Sequence, residues 1–542
     1  IIPIARTIRP ETAVRAKQAI LLAWITHRRT RHFSIRIERL YEVHLTRYLL
    51  QESLPITMLK KIFLLSLAAS TSAQAQDRMD VLFIAIDDLN SWVGALGGHP
   101  QAKTPNIDAL AERGMLFTNA HTPGAACLPA RTAILTGVSA FNSGIYSQVG
   151  DWRENPRLEG VRTLPRYFHD NGYQTLGGGK LFHAHTYSYA GFTGQQDYSA
   201  WDAYFPSLER QLPDEVFPAS GQTDGDAVGN GISTGHFDFF PTETTDEAMG
   251  DGQVVTWVTK QIASEADGPR FISAGIYRPH LPWYVPEKYF DMHPVENISL
   301  PAYLESDLDD VPSAYAEMIG AEPDLNTSTM AWIRERGKRK WQEAVQGYLA
   351  SISFTDAMVG RLVEALDESG RADQTIIVLW ADHGFHLGEK DTWGKMTLWD
   401  ETTNVPFIIV APGVTRPGSR SDEAVSTLSI YPTLVELAGL QRPDFVDGTS
   451  LVPLLKNPDM KLDDVAITTY GDYGNFAVRD DRYRYVVYAN GDEELYDVLA
   501  DPNEWTNLAD DDRYRGAMQA LASRIPPAET HAPAVEDDGS DD

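Results

Sequence analysis

Val81-Leu82-Phe83-Ile84-Ala85-Ile86-Asp87-Asp88 is six apolar residues in a row, ending abruptly on two carboxylates. With no polar alternation, the run reads as a strand buried on both faces, as a parallel sheet requires. Further runs obey the same grammar. Tyr173–Leu176 is a weaker strand, and Phe271–Ile276, Thr375–Trp380 and Phe407–Val410 are stronger ones. Amphipathic stretches separate them, beginning with a helix capped by Thr104, with Pro105 in its first turn and Ile107, Leu110 and Ala111 on its apolar side. This alternation predicts an α/β fold, a large mixed but mostly parallel sheet sandwiched by helices. From Ala466 the texture changes to short strands (Ala466–Tyr470, Phe476–Arg479, Tyr483–Tyr488, Glu494–Asp497), which predicts a small C-terminal antiparallel sheet. Residues 186–250 and about 291–340 read as long insertions, the kind of segment that often carries binding loops.

Four of the apolar runs deliver ionisable residues just past their C-terminal ends. These are Asp87-Asp88, then Lys180 with His183, then Arg278-Pro279-His280, then Asp382-His383 with Lys395 beyond. Ligands of open parallel sheets bind beyond the carboxyl ends of the strands. One such coincidence means little, because loops are polar anyway. Four of them make a single composite site the economical reading.

Cys127 is the only cysteine, so it has no intramolecular disulfide partner and is left with packing or chemistry. Pro129 and Arg131 come just after it, and an apolar helical stretch with Ile134 and Leu135 begins at once. That places its side chain at a helix N-terminus, where unpaired N–H groups and the helix dipole favour negative charge.

Hydrophobic content of 43% and aromatic content of 10% describe a globular chain with ample core. The net charge of −30 is uneven, since residues 1–57 carry ten Lys/Arg against four Asp/Glu. The acidic remainder argues against a nucleic-acid partner, which needs a cationic footprint. Met58 opens a complete secretion signal, with Lys60-Lys61, an apolar core from Ile62 to Ala69, and Ala73-Gln74-Ala75 as cleavage site. That core is too short to span a membrane, and no later run is long enough to do so. The expected organisation is therefore 1–57 as translated upstream sequence or a disordered extension, 58–75 as signal peptide, 76–460 as catalytic domain, 461–526 as C-terminal subdomain and 527–542 as acidic disordered tail. The rival for the first segment is a basic helix from about Glu11 to Leu50. Expressing 76–542 tests the point: fold and activity should match those of the longer chain, and misfolding would count against it.

With these motifs in place, the chain resembles the sulfatases of the alkaline-phosphatase-like superfamily, and among them the iduronate-2-sulfatase branch. The likeness runs from Asp80 to about Leu508. It rests on Phe83–Leu89, Thr104-Pro105-Asn106-Ile107-Asp108, Cys127-Leu128-Pro129-Ala130-Arg131 leading into Leu135-Thr136-Gly137, Gly179–His183, Arg278–Pro282, Asp382–Glu389, and the ending Glu494–Asp497 with Asp501–Leu508.

The resemblance implies that Cys127 is oxidised to 3-oxoalanine (formylglycine) by a maturation enzyme. It implies that Asp87, Asp88, Asp382, His383 and an oxygen of residue 127 hold one divalent cation, Ca2+ by family expectation. It further implies that Arg131 holds the formylglycine hydrate, that Lys180 and Lys395 contact sulfate oxygens, that His280 protonates the leaving oxygen, and that His183 acts at the diol. The implied activity is that of a periplasmic or secreted sulfatase acting on a sulfated oligosaccharide, at the 2-position of a uronic acid or its algal equivalent. Two features depart from the pattern. Ala130 stands where serine is common, and His383 stands where many members have a carboxamide. Imidazole suits transition metals such as Mn2+ better than calcium, so the metal's presence is better founded than its identity. The insertions carry no recognisable sugar contact.

Two other readings compete. A phosphonate monoester or phosphodiester hydrolase of the same superfamily shares the cysteine signature and the Asp-His pair. A carbohydrate-binding relative without catalysis would leave Cys127 unconverted. Since Asp87 and Asp382 lie at loop ends, Asp87→Asn or Asp382→Asn is expected at this level to abolish turnover and spare the fold.

Overall fold

The structure, a computed structural model, describes residues 78–184, 194–215, 237–319, 323–471 and 473–535. The upstream extension, the signal peptide, residues 536–542 of the tail and parts of the 186–250 insertion lie outside the described residues. Strand β1 (Asp80–Ile86) is buried along its whole length. Its side chains alternate between two cores, as the strand period demands. Leu82, Ile84 and Ile86 enter one core and Val81, Phe83 and Ala85 the other. Fully burying each larger side chain contributes roughly 1.5–3 kcal/mol, so β1 stabilises both halves of the molecule.

In chain order, the helices and strands around β1 are helix α1 (Pro105–Ala111), β2 (Met115–Phe117), α2 (Cys127–Thr136), α3 (Leu164–Asp170), β3 (Gln174–Gly179), β4 (Ala203–Phe205), α4 (Gly250–Ala263), β5 (Arg270–Ile276), α5 (Pro323–Glu368, broken at Gly337), β6 (Thr375–Ala381), β7 (Phe407–Val410), β8 (Ser419–Ser421) and α6 (Ile430–Leu437). The eight strands form one sheet in the order β8-β2-β7-β6-β1-β5-β3-β4. Only β7 runs antiparallel to its neighbours, which makes the sheet mixed and mostly parallel, as expected. Helices α1, α4 and α5 cover one face, and α2, α3 and α6 cover the other.

The C-terminal sheet is formed by β9 (Ala466–Thr469), β10 (Phe476–Arg479), β11 (Tyr483–Val487) and β12 (Glu493–Asp497), antiparallel throughout, with α7 (Arg515–Ala522) against it. This sheet grips the segment 395–404. Arg484, fully buried, pairs with Asp400 and Glu504 and donates to Thr403 Oγ1 at 2.8 Å and to the Leu398 carbonyl at 3.2 Å. Trp399 Nε1 donates to Glu494 at 2.9 Å. No helix among the described residues is long and apolar enough to cross a membrane.

Three local expectations need correction. The 186–250 segment is not simply an insertion, because Ala203-Tyr204-Phe205 adds edge strand β4 and Gly250 starts α4. Three residues carry too little periodicity to announce a strand. Thr104 does sit before α1, but its hydroxyl donates to Asp108 at 3.0 Å and accepts from the Gly94 amide. The first-turn amides of Asn106 and Ile107 are instead taken by Asp356 of α5, at 3.0 and 2.8 Å. Residues 531–535 are anchored to the body of the molecule through Ala532, the one buried residue among them. The amides of Ala532 and Val535 donate to the carbonyls of Phe141 and Gly144, and the His531 ring lies on Phe141. The acidic composition that suggested disorder belongs mainly to residues 536–542.

His386 gives a stability prediction. It is fully buried, accepts or donates at Thr397 Oγ1 (2.8 Å), and burial pushes its pKa from 6.5 down to about 3. Between those values the unfolded chain holds the extra proton, so stability falls as pH drops through 6.5. Urea unfolding at pH 7 and pH 4 should lose about 3 kcal/mol more in the wild type than in His386→Gln. Equal losses would remove this group from the acid response.

Candidate active site

Four central strands end level with one another. Ile86 of β1 is in register with Ile276 of β5 and Ala381 of β6, and Gly179 of β3 with Gly275 of β5. The hydrogen-bond ladder continues one residue further. Asp87 N donates to the Ile276 carbonyl, Asp382 N to the Ile86 carbonyl and Lys180 N to the Gly275 carbonyl, at 3.1, 3.3 and 3.1 Å. Lys180, Asp87 and Asp382 therefore emerge side by side. At Gly179 the chain turns with φ +81°, and a Cβ there would lie 1.9 Å from the Gly275 oxygen. Gly179→Ala is expected to cost about 2–4 kcal/mol and to displace Lys180. Denaturant unfolding and turnover check this, and an unchanged midpoint would contradict it.

Cys127 is the first residue of α2, preceded by extended Ala126. Its Sγ, fully buried, lies 3.1 Å from Lys395 Nζ, 3.2 Å from His383 Nε2, 3.6 Å from Asp87 Oδ1 and 3.8 Å from Lys180 Nζ. Burial alone would raise the thiol's pKa, but Lys180 and Lys395 outweigh it and bring it below the usual value. The next amide, Leu128 N, donates to Gln148 Oε1 at 2.7 Å.

Asp87, Asp88 and Asp382 are buried, which for Asp87 and Asp382 corrects the expectation that they lie at loop ends outside the core. Asp382 Oδ2 accepts from Arg131 Nε at 2.7 Å, and Oδ1 accepts from the amides of Asp88 (3.1 Å) and His383 (3.0 Å). Arg131 also donates to Asp87 Oδ1 at 3.1 Å and to the carbonyls of Lys180 and Leu181. Four of its five N–H groups are thus engaged, and its observed work is to tie two carboxylates to the end of β3. Lys180 Nζ lies 2.6 Å from Asp87 Oδ2, though off the direction of a hydrogen bond. Desolvation opposes ionisation of Asp87, yet Lys180 and Arg131 hold its pKa well below the usual carboxylate range. For Asp88 desolvation prevails over Lys395 and His383, and its pKa rises to about 7.

His383 Nδ1 faces its neighbour's carbonyl, Gly384 O, at 3.0 Å, which makes Nδ1 a donor and turns Nε2 toward Cys127, Asp88 and Asp382. Burial works against its charge, but Asp382 and Cys127 lift its pKa to about 9. His280 Nδ1 lies 2.7 Å from the Leu281 carbonyl, leaving Nε2 directed at Asp88 Oδ2, 4.0 Å away. The Tyr277 ring lies tilted against the His280 ring, with centroids 4.6 Å apart. His183 is buried within the field of Lys180 and Lys395, and burial first, then those cations, keep it neutral. The structure thus brings all ten proposed residues to one place.

The donor set could hold a metal ion. The ligand atoms of Asp87, Cys127, Asp382 and His383 lie within 4.8 Å of one another, as do those of Asp87, Asp88, Cys127 and His280. The Cys127 sulfur marks the position an oxygen of a converted side chain would take. Asp87 Oδ2 is buried with the Lys180 ammonium at 2.6 Å as its close neighbour but no hydrogen bond along a lone pair, and carboxylates can serve as metal ligands.

Sequence reasoning missed the residues that hold these groups. Gln148 caps Leu128 N. Asp251 of α4 accepts the amides of Tyr277 and Arg278 at 2.6 and 2.9 Å. Tyr348 of α5 bonds the backbone around Asp88. None carries a local signal, because each acts from another element.

The chain matches the Sulfatase family model over residues 79–440, and the model for the N-sulphoglucosamine sulphohydrolase C-terminal region over residues 388–530. It is 37% identical to a "Sulfatase" of Formosa agariphila, over 86% of this chain and 91% of that protein. It is 31% identical to the Iduronate 2-sulfatase of Homo sapiens, over 70% of this chain and 72% of that one. Its fold is also that of a phosphonate monoester hydrolase of Agrobacterium radiobacter, with TM-score 0.60, 23% identity, and coverage of 83% of this chain and 95% of that chain.

Proposed function

The chain belongs to the sulfatase family, and on that footing we propose that it removes sulfate from a carbohydrate, at the 2-position of a uronic acid or its algal equivalent. As a member it is a sulfuric ester hydrolase. The observation that carries the reading is Cys127 at the head of α2, with two lysines and a histidine within 3.8 Å of its sulfur. The sugar class is supported by the 31% identity to an iduronate 2-sulfatase. The Met58–Ala75 signal supports a secreted or periplasmic enzyme.

Asp87, Asp88, Asp382 and His383, with residue 127, would hold one divalent cation, Ca2+ before Mn2+. Formylglycine and the cation together supply a geminal diol whose attacking hydroxyl is acidified. The chain's own groups do the rest. Three carboxylates (Asp87, Asp88, Asp382) face three permanent cations (Arg131, Lys180, Lys395), so any added divalent charge leaves a surplus that attracts an anionic ester. Lys395, next to Asp88 and the Cys127 sulfur, neutralises charge on the sulfate oxygens, with Lys180 behind it. Arg131 keeps Asp87 and Asp382 aligned and offers its remaining N–H to residue 127. His280, with Nε2 directed into the site, protonates the leaving sugar oxygen, and neutral His183 takes a proton at residue 127.

Mass spectrometry of the tryptic peptide containing residue 127, together with rates on 2-O-sulfated uronate oligosaccharides and on phenylphosphonate and phosphodiester esters, tests the proposal. Converted Cys127 with preference for the sulfated sugar is expected. An unconverted thiol would favour the non-catalytic binding protein, and faster phosphonate cleavage the hydrolase alternative.

A further inference from the structure

Asp88 is one of five described non-glycine residues with positive φ, at +58°. Aspartate tolerates that region better than most side chains, yet it is still a minority conformation that is kept fixed only when surrounding contacts hold it. Three contacts do so. The Asp88 amide donates to Asp382 Oδ1 at 3.1 Å. The Asp88 carbonyl accepts from the Tyr348 hydroxyl at 2.7 Å, and that same hydroxyl oxygen accepts from the Asn90 amide at 3.0 Å. Tyr348 thus uses its one proton and one lone pair to bridge the two ends of the turn. Its ring is fully buried, stacked on Phe385 (centroids 5.8 Å apart) and edge-on to Trp92 and Trp283. Asn90 Nδ2 adds a bond to the Phe385 carbonyl at 3.0 Å, so the turn is tied to the loop that carries Asp382 and His383.

We infer that Tyr348 is a positioning residue for the metal centre. It comes from α5, touches no proposed ligand side chain through its hydroxyl, and holds Asp88 in the left-handed conformation from which its carboxylate faces Lys395 and His383. The inference rests on the reading that Asp88 is a cation ligand. Without the hydroxyl, the Asp88 carbonyl and the Asn90 amide lose their shared partner, and the turn relaxes toward ordinary φ values. Loss of an outer support of this kind lowers metal affinity by about 10–100-fold.

The experiment is calorimetric titration of chelator-stripped full-length protein with Ca2+, and separately with Mn2+, for wild type, Tyr348→Phe and Tyr431→Phe. The last is a control that also removes one buried hydroxyl bond, from Tyr431 to the Arg162 carbonyl. Tyr348→Phe should bind about 10–100-fold more weakly, with turnover restored at saturating metal, while Tyr431→Phe should lower the melting temperature and leave metal Kd unchanged. If Tyr348→Phe binds within about twofold of wild type, or if both variants weaken equally, the inference is overturned. Wild type that binds neither ion overturns the metal reading itself, a separate and recognisable outcome. Should Tyr348→Phe not fold, 4-fluorophenylalanine at position 348, which fills the hydroxyl's volume but cannot donate to the Asp88 carbonyl, is judged by the same criterion.

Discussion

Cys127→Ala is expected to lose at least about 10⁴ in kcat/KM, the scale for removing a covalent nucleophile, while still folding. The side chain is small and its neighbours are charged groups that pair with each other: Lys395 with Asp88, Lys180 with Asp87, Arg131 with Asp382. Cys127→Ser is the more informative variant. Serine brings one hydroxyl, enough to accept sulfate once but with no second hydroxyl to expel it. The residue-127 peptide should therefore gain the mass of one SO3 group after exposure to a sulfated uronate substrate, the sugar leaving as its alcohol, with no sustained release of sulfate. Sustained turnover by the serine variant would point to hydrolysis by water at an unconverted side chain, as in a phosphatase-like enzyme.

Asp382→Asn should be damaging in two measurable ways. Asp382 uses Oδ1 for two backbone amides and Oδ2 for Arg131. An amide has one acceptor, so in either orientation its NH₂ group faces donors. Arg131, fully buried, loses a charged partner in both orientations, and either its Nε–H or the Asp88 and His383 amides also lose their acceptor. The expected cost is about 2–4 kcal/mol in metal-free protein, read by urea unfolding in chelator, with turnover reduced by about 10³. Wild-type stability with lost activity would restore the simpler picture of a tolerant ligand at a loop end.

The apolar runs of β1, β5, β6 and β7 were legible because a strand buried on both faces needs unbroken hydrophobicity, and composition alone records that. The polar ends of β1 and β6 were legible for the same reason, since Asp87 and Asp382 are charged residues that interrupt an otherwise unbroken apolar run. Short β4 was not legible, because Ala203-Tyr204-Phe205 owes its conformation to pairing with β3 and not to any pattern of its own.

By itself the sequence determined that the long apolar runs of β1, β5, β6 and β7 are strands, that β1 and β6 run into carboxylates, and that Cys127 heads a helix, all properties set by near neighbours along the chain. Only tertiary structure decided that Asp356 caps α1, that Arg131 ties Asp87 to Asp382, and that Tyr348 holds the backbone of Asp88. Each of these joins residues many positions apart. Hydrogen bonds depend on distance and direction in space, and those exist only once strand register and helix docking have been set.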